Sequence, residues 1–135
     1  FTIKTDGSSF TQILDSTLNP HYPKFSPDGS KIIFIGYNET APDINGNIYS
    51  IDANGGNLTK LTSFNRAPSG HSTNIRNLNW SADGSKIAFT SNKDTPKLSS
   101  YLGKYYEEVY VMDKDGANIT QLTNDTLYQS SPVWR

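Results

Sequence analysis

Eight side chains suited to recognition fall between positions 66 and 106: Arg66, His71, Arg76, Lys93, Lys97, Tyr101, Tyr105 and Tyr106. Tyrosine and arginine offer large contact areas with polar tips, which fits a peptide, a glycan or a protein surface. The tyrosines have a plainer use, packing a long loop onto its own scaffold. His21 and His71 raise the question of a metal, because neutral imidazole is a common ligand. Two histidines without an adjacent third ligand do not make a centre, so neither a metal nor any other cofactor is expected. Glu107 and Glu108 are expected to be a solvated pair, there being no partner carboxylate for general-acid work.

Other patterns lead away from catalysis. Asp43-Ile-Asn45-Gly46-Asn47 and Asp113-Lys-Asp115-Gly116-Ala-Asn118 space oxygen ligands as a calcium loop does, yet both lack its further carboxylates and its closing bidentate Glu. No strand-to-helix nucleophile turn, phosphate-cradling glycine loop or dinucleotide fingerprint is present. No catalytic residue is assigned.

The composition says what kind of scaffold must hold these groups. Ser, Thr and Asn make up 42 of the 135 residues, whereas Glu occurs three times and Ala six, so helix formers are scarce. Lys and Arg number 12 against 13 Asp and Glu, for a net charge of −1 with no basic block, and nucleic acid is therefore not an expected partner. Apolar runs of four or five residues are too short for membrane insertion as a spanning helix. The absence of cysteine removes disulfides and thiolate chemistry without fixing the compartment.

Internal repeats set the organisation. PKFSPDGSKIIF at 23–34 and LNWSADGSKIAF at 78–89 place Phe25 and Trp80 in one register, and Trp134 follows in PVWR. Interleaved with these are FTIKTDGSSFTQIL at 1–14, IYSIDANGGNLTKLT at 48–62 and VYVMDKDGANITQLT at 109–123. Each half reads as a β-hairpin. Asp28-Gly29 and Asp83-Gly84 form the turn of the first kind, and Asp6-Gly7, Asn54-Gly55 and Asp115-Gly116 the turn of the second. With strands named a to d, the chain runs c-d (1–14), a-b-c-d (22–62), a-b-c-d (77–123) and a lone a (132–135). The predicted fold class is all-β: a β-propeller segment of four-stranded antiparallel blades, about three blade equivalents in one partial propeller.

The PKFSPDGSKIIF and NIYSIDANGGNLTKLT segments resemble the repeats of TolB-like β-propellers, within the wider group of WD-like propeller repeats. The resemblance covers nearly the whole chain except its three longer loops. Ala82 departs from it by replacing the turn proline. It implies a bacterial protein, periplasmic or extracellular, and a repeat that serves binding scaffolds, lyases and non-catalytic halves of peptidases alike. Three blade equivalents are fewer than a closed ring needs, so the remaining blades are expected from the same chain or from a second copy.

In such a ring the a-b and c-d turns share one face and the b-c and d-a connections the other. All the long connections, 35–46, 63–77 and 90–107, belong to the second class, which makes that face the expected binding surface. The expected function is a non-catalytic binding scaffold recognising a protein or carbohydrate there. The alternative is the propeller part of an enzyme, either a metal-dependent sugar lyase or the gating domain of a prolyl-oligopeptidase-like hydrolase.

Overall fold

The computed structural model describes residues 1–15, 17–37, 45–68, 70, 72–95, 106–124 and 132–134. Eight strands run in order: β1 (His21–Phe25), β2 (Lys31–Tyr37), β3 (Gly46–Asp52), β4 (Thr59–Lys60), β5 (Ile75–Trp80), β6 (Lys86–Ser91), β7 (Glu108–Asp113) and β8 (Thr120–Gln121). They form two antiparallel sheets, β1-β2-β3-β4 and β5-β6-β7-β8, each a meander of sequential neighbours. No helix occurs among the described residues.

Turn chemistry sets the register within each blade. The Asp28 carboxylate accepts hydrogen bonds from the Ser26 hydroxyl (2.5 Å), the Ser30 amide (3.0 Å) and the Ser30 hydroxyl (2.9 Å). Asp83 repeats the set with Ser81 and Ser85. The c-d turn is clasped in the same way in both copies. Lys31 pairs with Asp52 at 2.7 Å while Asn57 donates to the other Asp52 oxygen, and Lys86, Asp113 and Asn118 form the matching trio. Backbone bonds from Ala53 to Ser30 and from Lys114 to Ser85 then tie the two turns of each blade together.

The Asp28 and Asp83 turns carry a pH dependence. The hydrogen bond from Ser26 leads the effects that bring the Asp28 carboxyl down to about 2, and that from Ser81 does so for Asp83. A depressed folded-state pKa stabilises the fold above the unfolded value, and that contribution is lost as pH falls toward the folded one. Melting temperature should therefore hold steady down to about pH 4 and drop between about pH 4 and 2. Carboxyl-carbon NMR should place both midpoints near the bottom of that window. Midpoints at the ordinary aspartate value would contradict the turn geometry.

Strand alternation gives each blade two apolar faces, and the blades stack on them. Ile33, Ile35 and Ile48 of the first blade form one cluster with Ile75, Leu78, Trp80, Ile87, Phe89, Tyr110 and Met112 of the second. The opposite face of the first blade, Ile32, Phe34, Tyr49 and Ile51, is covered by Ile13, Leu14 and Leu18. Two glycines make the close approach possible. Gly116 has φ +89°, and a Cβ there would overlap the Leu61 carbonyl oxygen and stand 3.0 Å from the carbonyl carbon. Gly55, one repeat earlier, faces Ile13 less closely, an added Cβ standing 3.1 Å from the Ile13 carbonyl oxygen. The indole N–H of Trp80 crosses to the Lys24 carbonyl at 3.3 Å.

Among the described residues the two ends of the chain contribute no full strand. Residues 1–14 contribute an isolated antiparallel bridge, Thr2 with Thr11, because no further described strand pairs with that hairpin. Pro132–Trp134 is not in a strand. Ile119 and Leu122, read as strand residues, flank a two-residue β8 and lie exposed. Phe25 and Trp80 share a register but not an environment, being 56% and 8% exposed. Trp80 has the first blade beside it, whereas Phe25 pairs with Ile32 on the face that Ile13, Leu14 and Leu18 pack against.

Candidate functional site

The face carrying the longer connections is knit by asparagines at their roots. Asn45 Oδ1 accepts the Thr73 amide and Asn92 Oδ1 accepts the Asn74 amide, while Ser91 Oγ donates to the Asn74 carbonyl. Gly46 also donates to the Thr73 carbonyl, and Tyr37 to that of Leu18. Asn92 is fully buried. These bonds join the b-c connections to the d-a connections, so the face is held by both blades.

A groove of about 300 Å³ runs along the first strands of the two sheets, lined by Tyr22, Lys24, Arg76, Asn77, Asn79 and Val133 among others. Both strands are bulged here, with register shifts between His21 and Lys24 and between Arg76 and Asn79. Tyr22 and Asn77 occupy matching positions in these bulges with φ of 54° and 53°. A left-handed backbone at a bulky residue such as tyrosine is costly and uncommon. A bulge re-aims the side chain it carries, and here the exposed Tyr22 lines the groove.

Arg76 is held from behind. Its guanidinium lies 3.3 Å from the Glu107 carboxylate, whose other oxygen accepts the Thr90 hydroxyl at 2.9 Å, and Asn77 in turn donates to Thr90. Glu107 is only 3% exposed. Glu107 and Glu108 are thus not the solvated pair expected from the sequence. Glu108 is also buried and takes a hydrogen bond from the Thr123 hydroxyl, which itself accepts the Val109 amide. That hydroxyl bridge repeats the one made by Thr62 between Asn47 and Ile48, so Glu108 fills a position that the fold supplies with a partner. Tyr37 stands near this group. Burial, above all, raises its phenol, with the charges of Tyr22 and Glu107 adding to that and Arg76 opposing it.

Of the eight side chains singled out between 66 and 106, four are described. Arg66 donates to Gly70 within its own connection at 2.8 Å. Arg76 enters the groove. Lys93 ion-pairs with Asp94 and lies over the Tyr110 ring at 4.6 Å and the Phe64 ring at 5.6 Å. Tyr110, packed beneath it, has its phenol pushed up by burial and by the Asp94 charge. Tyr106 accepts the Thr95 hydroxyl through its carbonyl. His71, Lys97, Tyr101 and Tyr105 lie outside the described residues.

His21 sets its ring against the edge of Tyr37 at 5.5 Å. Among the described residues no three His, Asp or Glu side chains gather as metal ligands would. Asp113 is taken up by Lys86 and Asn118, which makes the second oxygen-rich segment a hairpin clasp; Asp43 of the first lies outside the described residues. The sequence reading missed Tyr22, Asn77, Thr90 and Glu107 as a group. A left-handed bulge leaves no local sequence signal, and the pairing of positions 76 and 107 spans a loop.

Comparison with known proteins gives the fold a context. No family model matches the chain. An uncharacterised protein of Agrobacterium fabrum is 30% identical over 91 residues, covering 64% of this chain and 30% of its own length. Among solved structures, a protein given the provisional title TolB, from Agrobacterium tumefaciens, superposes with a TM-score of 0.64 at 20% identity, over 88% of this chain and 38% of that one. The chain carries the TolB-like β-propeller fold. An oligogalacturonate lyase in complex with manganese superposes on the same propeller segment with a TM-score of 0.58 at 19% identity, over 90% of this chain and 29% of the lyase. A GH74 enzyme from Niastella koreensis gives 0.51 at 22%, over 85% of this chain and 16% of that one. The chain thus spans about a third of the curated relative and of the first two solved structures.

Proposed function

We propose that this propeller segment belongs to a non-catalytic binding protein of the periplasm or cell exterior, which takes a protein or carbohydrate ligand at the face where the longer connections gather. Further blades, from the same chain or a second copy, complete the ring, with residues 1–14 serving as the outer hairpin of a preceding blade. The groove on the first strands supports this reading most directly. It presents Tyr22, Lys24, Arg76, Asn77 and Asn79, which are groups of recognition, on backbone held by two bulges. Strained backbone of this kind clusters at ligand sites. The buried Glu107 pairs with Arg76 and restrains its guanidinium, which lowers the cost of ordering it on binding.

Glycan and peptide arrays probed with the purified chain test the proposal. Tyr22→Ala combined with Lys24→Ala should weaken the signal for the retained ligand by about tenfold or more, since aromatic anchors dominate such surfaces. Both side chains are exposed, so the melting temperature should not move. Undiminished binding would refute the groove. Cleavage of the bound ligand would favour the alternative, a propeller forming part of a sugar lyase or a hydrolase.

A further inference from the structure

The opposite face, where the tight turns gather, holds a second cavity of about 430 Å³ between the two blades. Its walls follow from the stacking. A Cβ on Gly84 would meet Pro27 at 3.5 Å and one on Gly116 would strike Leu61, so the blades touch through both of their turns. The cavity opens beside these contacts, with Trp80, Ser50, Lys31, Lys114, Asp83 and Asp115 among its lining.

Ser50 is the informative residue. It is 6% exposed and lines the cavity, on the same side of β3 as Ile48 and opposite Ile33 in the ladder. Its hydroxyl has no hydrogen-bond partner among the described residues. A buried hydroxyl left without one costs stability, so such a group needs an explanation. In the second blade the same register position is Val111, so the repeat does not require a polar group there. The volume lies within the range of small-molecule sites. The charges around it are mixed, three carboxylates from Asp28, Asp83 and Asp115 against the ammonium groups of Lys31 and Lys114. Asp28 and Asp83 are spent on their turns and Lys31 on Asp52, so neither sign dominates.

We propose that this inter-blade cavity binds a neutral pyranose ring. A sugar ring combines an apolar C–H surface, which an indole accommodates, with hydroxyls around its edge, which a buried serine and a rim of carboxylate and ammonium groups can bond. The cavity shares no lining residue with the groove along the first strands, and the two proposals fail independently.

The chain has two tryptophans, so Trp134→Phe leaves Trp80 as the sole indole reporter. This protein is titrated with methyl glucopyranoside, methyl galactopyranoside and methyl mannopyranoside while Trp80 emission is followed. At least one should give a saturable change with a millimolar dissociation constant. Ser50→Val, which installs the residue found at position 111, should weaken it about fivefold, the worth of one hydrogen bond. Lys114→Ala, on an exposed rim residue, should weaken it by a similar factor, and Tyr22→Ala, in the groove and not in the cavity lining, should leave it unchanged. No saturable change with any of the three sugars overturns the proposal, as does a change that both Ser50→Val and Lys114→Ala leave intact in variants with native melting.

Discussion

Replacing Gly116 by alanine should lower the unfolding free energy by roughly 2–5 kcal/mol, whereas Gly7→Ala should cost roughly 1–2. Both glycines turn a c-d hairpin with nearly the same backbone, φ +89° and +81°. A left-handed conformation penalises any side chain by about the smaller figure. Gly7 has nothing within 4 Å of an added Cβ, so it pays only that. Gly116 faces the Leu61 backbone of the neighbouring blade, which cannot swing aside as a side chain tip can. The alanine methyl therefore also forces the blades apart, adding roughly 1–3 kcal/mol of overpacking. Urea titration of the two variants measures the difference. Equal losses would mean that the Gly116–Leu61 approach carries no energetic weight.

Trp80→Ala should cost roughly 3–5 kcal/mol, while Phe25→Ala at the same repeat position should cost less than about 1. Trp80 is buried against the first blade and donates its indole N–H to the Lys24 carbonyl, so truncation opens a cavity and orphans a bond that joins the blades. Phe25 is more than half exposed, and its loss removes little buried surface. Thermal and urea unfolding read both values. A large loss at Phe25 would contradict the assignment of burial to the neighbouring blade and not to the motif.

The sequence carried the repeat because it is written in local chemistry. Asp28 and Asp83 hold their own turns through serines two residues away, so the hairpins can be read without knowing what packs against them. Period-two alternation then predicts the faces that stack, such as Ile33 and Ile35 against Ile32 and Phe34. What stayed hidden depends on distant residues. Glu107 looks like a surface acid until Arg76 and Thr90 arrive from two other strands to pair it. Phe25 looks like core because Trp80 is core, yet burial belongs to the neighbouring blade and not to the motif. Of the candidate site, Arg76 was legible as a long-loop cation, while Tyr22 and Asn77 depend on bulges that spacing does not announce. Ser50 was invisible in the same way, since one serine among so many marks nothing until it is found buried with no hydrogen-bond partner among the described residues.

The two blades hold together by burying their faces against each other. Nuclear Overhauser spectroscopy on isotope-labelled chain tests this most directly, through the Trp80 indole proton near Lys24 and the Gly84 α-protons near the Pro27 ring, which meet across the two blades. The predicted result is cross-peaks for both pairs alongside those within each sheet. Intact cross-peaks within β1–β4 and within β5–β8, with none between the two sheets, would contradict the stacked arrangement.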